Sequence, residues 1–190
     1  MECEQGKLHQ VSDFCRIDLE FMLPEYGYPY VGRLLLTTLT NPWRSLIRFD
    51  VGDLVQVDPS GICKCGRNDG YICKEFAGRT ADLTYTIDNY PVTTAMVESV
   101  INRLEPVADY QVFQREGIYH VYIVLGEAVD ASRTLEEKII ENLLPLYGKG
   151  AVIKVHFVPE IAAELSGKYR RTRSDIEPDY DKLFVNEAVV

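Results

Sequence analysis

Only two stretches of this 190-residue chain, 94–104 and 134–144, carry apolar residues at helical spacing; most of the rest is short runs broken by Gly, Pro or Asn. Val97, Val100, Ile101 and Leu104 share one face of the first, and Leu135, Ile139, Ile140, Leu143 and Leu144 one face of the second, which is the period of amphipathic helices. Around them, 83–87 and 90–92 flank Asp88-Asn89, a pair suited to a tight hairpin because Asn tolerates positive φ. Runs 109–114 and 119–125 join at Glu116-Gly117, and 152–158 is a last strand stopped by Pro159. Thr93 or Thr94 is placed to cap the first helix, while Pro145, Gly148 and Gly150 end the second. This order of strands and helices predicts an α+β fold with helices packed on a mixed or antiparallel sheet.

The first part reads differently. Residues 1–30 contain Pro24, Gly27 and Pro29 and alternate irregularly, which favours strands and loops over long helices. Residues 31–39 read as a buried strand broken by Asn41-Pro42. Two short strands, 45–49 and 53–57, are expected around an Asp50-Val51-Gly52 turn, and Pro59-Ser60-Gly61 turns the chain again. The composition changes between Gly78 and Asp82, so the expected division is a small β module over 1–78 and an α+β domain over 79–190.

The formal net charge of -9 argues against a nucleic-acid partner, which needs a basic face. It leaves nucleotides open, since a few local Lys and Arg groups suffice for phosphates. No apolar run approaches the roughly 20 residues of a membrane span, and Met1-Glu-Cys-Glu-Gln-Gly6 lacks the features of a signal peptide; a cytoplasmic location is expected. In such a reducing compartment spaced Cys and His point to metal before disulfides. Cys3 and His9 lie upstream of Cys63-Lys64-Cys65, offering three thiolates and one imidazole, a set that suits tetrahedral zinc in a closed structural site. Reduced cysteines beside a surface His9 are the alternative. Cys15 and Cys73 have no such partner and are expected to pack as apolar groups; His120 and His156 sit in strand patterns as structural histidines.

Three further segments can carry chemistry. In Arg48-Phe-Asp-Val-Gly-Asp53-Leu54 a carboxylate at a strand start can accept hydrogen bonds from vicinal hydroxyls, or it can simply stabilise a turn. Gly78-Arg79 offers a planar fork for phosphate, ribose or carboxylate, or a solvated arginine at a domain edge. In Ser166-Gly167-Lys168 a flexible ammonium beside a glycine can neutralise charge developing in phosphoryl or acyl transfer; together with Arg170 and Arg171 it can equally be a basic patch balancing an acidic chain.

In joint order and spacing these segments resemble the late motifs of adenylate-forming acyl- and aryl-CoA ligases, most closely the phenylacetate–CoA ligase family. The run Gly32-Arg-Leu-Leu-Leu-Thr37-Thr38-Leu39 through Leu54, Cys63-Lys-Cys65-Gly66-Arg67, Gly78-Arg79-Thr-Ala-Asp82, Pro91 through Glu98, and Ser166-Gly167-Lys168 each correspond to a family motif. Ala81 stands where the hinge motif usually has an acidic residue, and Asn89 where the next hairpin usually has Gly. The resemblance implies ATP with magnesium and a carboxylic acid forming an acyl-adenylate, from which CoA thiol displaces AMP. It implies Asp53 on the ribose hydroxyls, Arg79 near the nucleotide, Lys168 assisting adenylation, and a C-terminal domain that rotates between half-reactions. It also supports the zinc ligands, since relatives carry a similar pair of Cys/His clusters. The family's phosphate-binding loop would lie upstream of residue 1, so the expectation is a C-terminal portion, inactive alone, working with a separate N-terminal portion or as a homodimer. The alternatives are a non-catalytic zinc-stapled binding module, or part of an adenylating enzyme with an acceptor other than CoA.

Overall fold

The computed structural model describes residues 1–67, 69–126, 130–164, 167 and 169–185. The chain forms two units: Met1–Thr80 together with the tail from Asp179, and Ala81–Pro178. The crossing from first to second unit therefore falls between Thr80 and Ala81, and the tail goes back to the first unit instead of ending in the second.

The first unit is an antiparallel sheet of strands β1 (Leu8–His9), β2 (Cys15–Met22), β3 (Val31–Thr38), β4 (Phe49–Val57), β5 (Ile72–Arg79) and, from the tail, β12 (Phe184–Val185), in the order β1-β5-β4-β3-β2-β12. Strand alternation sorts β2 cleanly. Leu19 and Phe21 cluster with Val55 and Val57 on one side. Asp18 and Glu20 meet Arg33 and Arg48 in an ion network that also takes in Asp50. The expected turn at Asp50-Val51-Gly52 lies inside one continuous strand, and 45–48 is not strand. Gly52 does adopt positive φ (81°), but as a bulge. Leu34 alone on β3 spans the register occupied by Val51, Gly52 and Asp53 on β4, which is where a bulge places extra residues.

In the second unit a hairpin of β6 (Thr84–Tyr85) and β7 (Pro91–Val92) turns at Asn89 with φ 63°. Helix α1 (Thr94–Ile101) follows, its Thr93 hydroxyl accepting the Met96 amide. Then come β8 (Val107–Arg115), β9 (Ile118–Leu125), α2 (Arg133–Tyr147), β10 (Val152–Phe157) and β11 (Thr172–Ser174), in the sheet order β10-β9-β8-β11. Strand β10 runs parallel to β9 because α2 carries the chain back across the sheet. The first helix stops three residues short of Leu104. The second passes through Pro145 to Tyr147, since fully buried Tyr147 stacks 4.2 Å from Tyr119 and its hydroxyl meets Thr84 Oγ1 at 3.0 Å. Both helices cover one sheet face: Val97, Ile101, Ile139 and Leu143 pack with Tyr110, Val112, Val121 and Ile123. Each such buried side chain contributes roughly 1.5–3 kcal/mol. Strand β11, the single helical turn α3 (Tyr180–Leu183) and β12 have no counterpart in the sequence reading.

On the uncovered face His120 and His156 meet at 3.1 Å between Nδ1 and Nε2, with Tyr122 stacked on His156. They satisfy each other, as structural histidines do. Burial first, then His156, Lys154 and Arg115, hold the His120 imidazole below its ordinary value, with Glu116 opposing. A folded-state value lower than the unfolded one means that the unfolded chain binds more protons, so stability falls as pH drops below about 6.5. His120→Gln should flatten the decline in second-unit stability between about pH 7 and pH 5, followed by amide exchange at Val121 and Ile123. An unchanged slope would refute the assignment.

Candidate functional site

Strand β1 and the loop before β5 bring the four Cys/His residues together. Leu8–His9 pairs with Cys73 and Ile72 of β5, which sets His9 over the Cys63–Cys65 turn. Cys3 and Cys63 each open a tight turn closed three residues later by a glycine of positive φ: the Gly6 amide donates to the Cys3 carbonyl at 2.9 Å, and the Gly66 amide to the Cys63 carbonyl at 3.1 Å. Other residues adopt that conformation only with strain. The turns aim backbone N–H groups at sulfur, as when the Arg67 amide donates to Cys65 Sγ at 3.4 Å.

Cys3 Sγ lies 3.8 Å from Cys63 Sγ, Cys65 Sγ lies 3.5 Å from His9 Nε2, and all four ligand atoms lie within 4.8 Å of one another. A disulfide needs about 2.05 Å, so the cysteines are free thiols. A tetrahedral zinc, with bonds of about 2.3 Å to sulfur and 2.0–2.1 Å to nitrogen, has edges of about 3.8 and 3.6 Å. The donor set therefore fits that ion in chemistry and in size. Cys3, His9 and Cys63 are buried, which suits a closed site.

Electrostatics point the same way. Burial pushes the Cys3 thiol up, but hydrogen bonds from the Gln5 and Lys7 backbone, with His9 and Cys63, bring it down to about 6. The Arg67 amide pulls Cys65 down, yet burial and the neighbouring Cys63 and Cys3 leave it raised. Several thiolates so close repel one another unless a cation sits among them, and a dication removes the conflict. His9 Nδ1 is buried without a hydrogen-bond partner among the described residues, a departure from the usual outer support of a ligating imidazole.

Asp53 and Arg79 are direct cross-strand neighbours on β4 and β5, with Arg79 Nε 3.2 Å from Asp53 Oδ1. Asp53 stands just after the Gly52 bulge, within the strand and not at its start. The Thr80 hydroxyl meets the Gly52 carbonyl at 3.4 Å, tying the end of β5 to the bulge. The Arg79 side chain is 57% exposed and that of Asp53 33%. An ion pair so open contributes about 0–1 kcal/mol, so stability gives little reason for it. Its carboxylate can accept hydroxyl groups and its guanidinium can donate to phosphate oxygens.

Lys168, with Ser166, lies outside the described residues. The flanking cations are engaged within the second unit: Arg170 with Asp82 at 3.6 Å and Glu164 at 3.7 Å, and Arg171 with Glu98 at 2.6 Å. The Tyr169 hydroxyl donates to Asp109 at 2.5 Å, and burial first, then that carboxylate, raises it to about 12. Asp82 thus pairs with an arginine 88 positions later, a link that sequence spacing does not signal. Cys73 packs beside the Leu19–Val57 cluster, and Cys15 Sγ meets the Val11 carbonyl at 3.6 Å. No helix among the described residues is long and apolar enough to cross a membrane.

No family model and no curated protein matches the sequence. Solved structures match the fold. The chain is similar to 2-hydroxyisobutyryl-CoA ligase in the postadenylation state in complex with 2-HIB-AMP, with a TM-score of 0.63 and 16% identity over 86% of this chain and 36% of that one. For an anthranilate CoA ligase in complex with anthranoyl-AMP the TM-score is 0.54 at 19% identity, covering 82% and 32%. For O-succinylbenzoate coenzyme A synthetase from Bacillus subtilis in complex with AMP it is 0.54 at 20%, covering 83% and 32%. The chain has the α+β fold of part of these adenylate-forming ligases and spans about a third of their length.

Proposed function

We propose that this chain is the C-terminal portion of an adenylate-forming acyl- or aryl-CoA ligase of the phenylacetate–CoA ligase type. In that reading ATP, with magnesium, and a carboxylic acid give an acyl-adenylate and pyrophosphate, and CoA thiol then attacks the acyl carbon and releases AMP. The observation that carries the reading is the Asp53–Arg79 pair, one residue before the crossing between units, in a chain whose fold is that of adenylate-binding ligases. Asp53 accepts the two ribose hydroxyls. Arg79 holds Asp53 in place and offers its remaining N–H groups to the nucleotide. Lys168 supplies the charge that offsets developing negative charge on the phosphoryl group.

Cys3, His9, Cys63 and Cys65 would hold a structural zinc in this reading. With all four positions taken by protein, zinc when bound supplies a crosslink between the N-terminal turn and the Cys63–Cys65 turn, and no open position for chemistry. The residues themselves prepare the site: the turns at Gly6 and Gly66 fix the sulfurs, and the lowered Cys3 thiol is drawn toward the thiolate that a metal ligand must be.

A second reading, a zinc-stapled binding module without catalysis, draws on one fact: the four-ligand cluster is complete within this chain, which spans only about a third of the matched ligases. Nucleotide binding separates the two. Asp53→Ala should weaken AMP binding about tenfold or more, since hydrogen bonds to a charged group contribute roughly 1.5–3 kcal/mol, without changing metal content. Equal affinity in parent and variant would sink the ligase assignment of Asp53.

A further inference from the structure

The apolar face of the first unit's sheet is hollowed. Leu19 on β2 stands opposite Leu34 on β3, Val55 on β4 opposite Phe76 on β5, and Cys73 between Val57 and Leu8 of β1. Together with Ile17, two positions before Leu19, these residues line a cavity of about 240 Å³. The lining crosses the sheet from β2 to β1, at about 4.8 Å per strand, which makes the hollow a slot and not a round pocket.

The floor of the slot is already buried within this chain: Leu19 is 4% exposed, Val55 3% and Val57 5%. Its rim is apolar and open, with Met1 60% and Phe76 56% exposed. Among the described residues no Asp, Glu, Lys or Arg side chain lines it. Two of its polar side chains are turned elsewhere, His9 Nε2 to Cys65 Sγ and the Gln10 amide to the Cys15 carbonyl at 3.2 Å.

These features narrow the occupant. A charged group would lose its water here and gain no partner. Water itself gains little among aliphatic side chains, and cavities of that kind stay dry or take up apolar molecules. A protein surface laid on the sheet would need an open apolar face, whereas here the floor is covered and only the rim is open. A cavity of roughly 150 Å³ lined by Leu, Ile and Phe holds the six carbons of benzene. In proportion, a slot of 240 Å³ takes on the order of eight to ten carbons.

We propose that the first unit binds a linear alkyl chain of about eight to ten carbons in this slot, with the polar end of the ligand left at the rim by Met1 and Phe76. The lining belongs to the first unit alone, so the proposal does not require the ligase reading.

The test titrates the full chain with straight-chain alcohols from butanol to dodecanol and follows the amide shifts of Leu19, Val55, Val57 and Cys73. Each added methylene should tighten binding about three- to fourfold, as burial of a CH₂ group does, and the gain should stop between about eight and ten carbons. Leu19→Ala removes three carbons from the floor and should move that stop to longer chains. Leu34→Trp fills the slot and should weaken octanol binding about tenfold or more. Thermal unfolding and amide exchange in β3 and β4 report whether the first unit stays folded in each variant. Absence of saturable shifts in the parent overturns the proposal. So does binding that ignores chain length, or a stop that Leu19→Ala leaves where it was. A parent chain that binds no alcohol and dimerises, and that Phe76→Asp makes monomeric, assigns the slot to a second copy and overturns it as well.

Discussion

Replacing Cys63 with serine is expected to strip the chain of bound metal and to lower the unfolding midpoint of the first unit by about 12 °C or more. The reasoning starts from the donor atoms. Three sulfurs and an imidazole nitrogen lie within 4.8 Å of one another, and the apolar residues packed against them are few: among the described residues Ile72 is the one non-cysteine member of that cluster. Without a cation the cluster brings together groups that repel when charged and pack poorly when neutral. A bound dication converts that liability into a crosslink joining the N-terminal turn to a loop 60 residues away. Losing one ligand of such a site costs roughly 3–5 kcal/mol, and each kcal/mol shifts the midpoint of a domain this size by about 4–8 °C. Cys15→Ser, at a half-buried thiol whose bond is to the Val11 carbonyl, should change the midpoint by a few degrees at most. Metal analysis of protein purified without chelator, alongside thermal unfolding, checks both. Metal-free parent protein, or a Cys63→Ser variant as stable as the parent, would refute the metal site.

The second large effect is expected at Gln114. This buried side chain substitutes for a strand partner: its Oε1 accepts the Tyr85 amide at 2.8 Å and its Nε2 donates to the Tyr85 carbonyl at 3.0 Å. The Ser174 hydroxyl adds a third bond, to Oε1 at 3.1 Å. Gln114 thereby ties β8, β11 and the short β6 through polar bonds beside the Val, Ile, Leu and Tyr residues of the core. Gln114→Leu keeps the volume and the burial but takes the acceptor from the Tyr85 amide and from Ser174. Each stranded polar group costs about 1–3 kcal/mol. The variant should lose about 2–4 kcal/mol, with a midpoint lower by roughly 10–20 °C. The Tyr85 carbonyl keeps its bond from the Tyr119 hydroxyl, which is why the loss is not larger. Thermal unfolding and amide exchange at Val112 measure it; a variant within 1 °C of the parent would show that Gln114 packs rather than ties, since even about 1 kcal/mol shifts the midpoint by several degrees.

What could be read from sequence follows the range of the forces involved. The Asn89 hairpin and the Thr93 cap are decided by neighbouring residues, and both are where local chemistry puts them. Gly52 shows the limit: a glycine between two strand runs is legible as a break, but a turn and a bulge both use it, and only pairing with β3 selects the bulge. Pro145 is a local stop signal, yet Tyr147 packing on Tyr119 carries the helix one half-turn further. The tail strand was invisible because its partner lies some 160 residues away and a two-residue strand carries no period. The same division holds for chemistry. The Cys/His set was legible in its spacing, whereas the contact between Asp53 and Arg79 comes from hairpin register, and the Asp82–Arg170 pair from the packing of the second unit.

The central claim, that Asp53 and Arg79 form the nucleotide-binding part of a ligase, is most directly tested by mapping AMP onto the protein through amide chemical shifts. The account predicts saturable shifts centred on Gly52, Asp53, Leu54, Gly78 and Arg79, and their disappearance in Asp53→Ala while the rest of the spectrum is unchanged. Shifts centred elsewhere, or identical shifts in parent and Asp53→Ala, would contradict it.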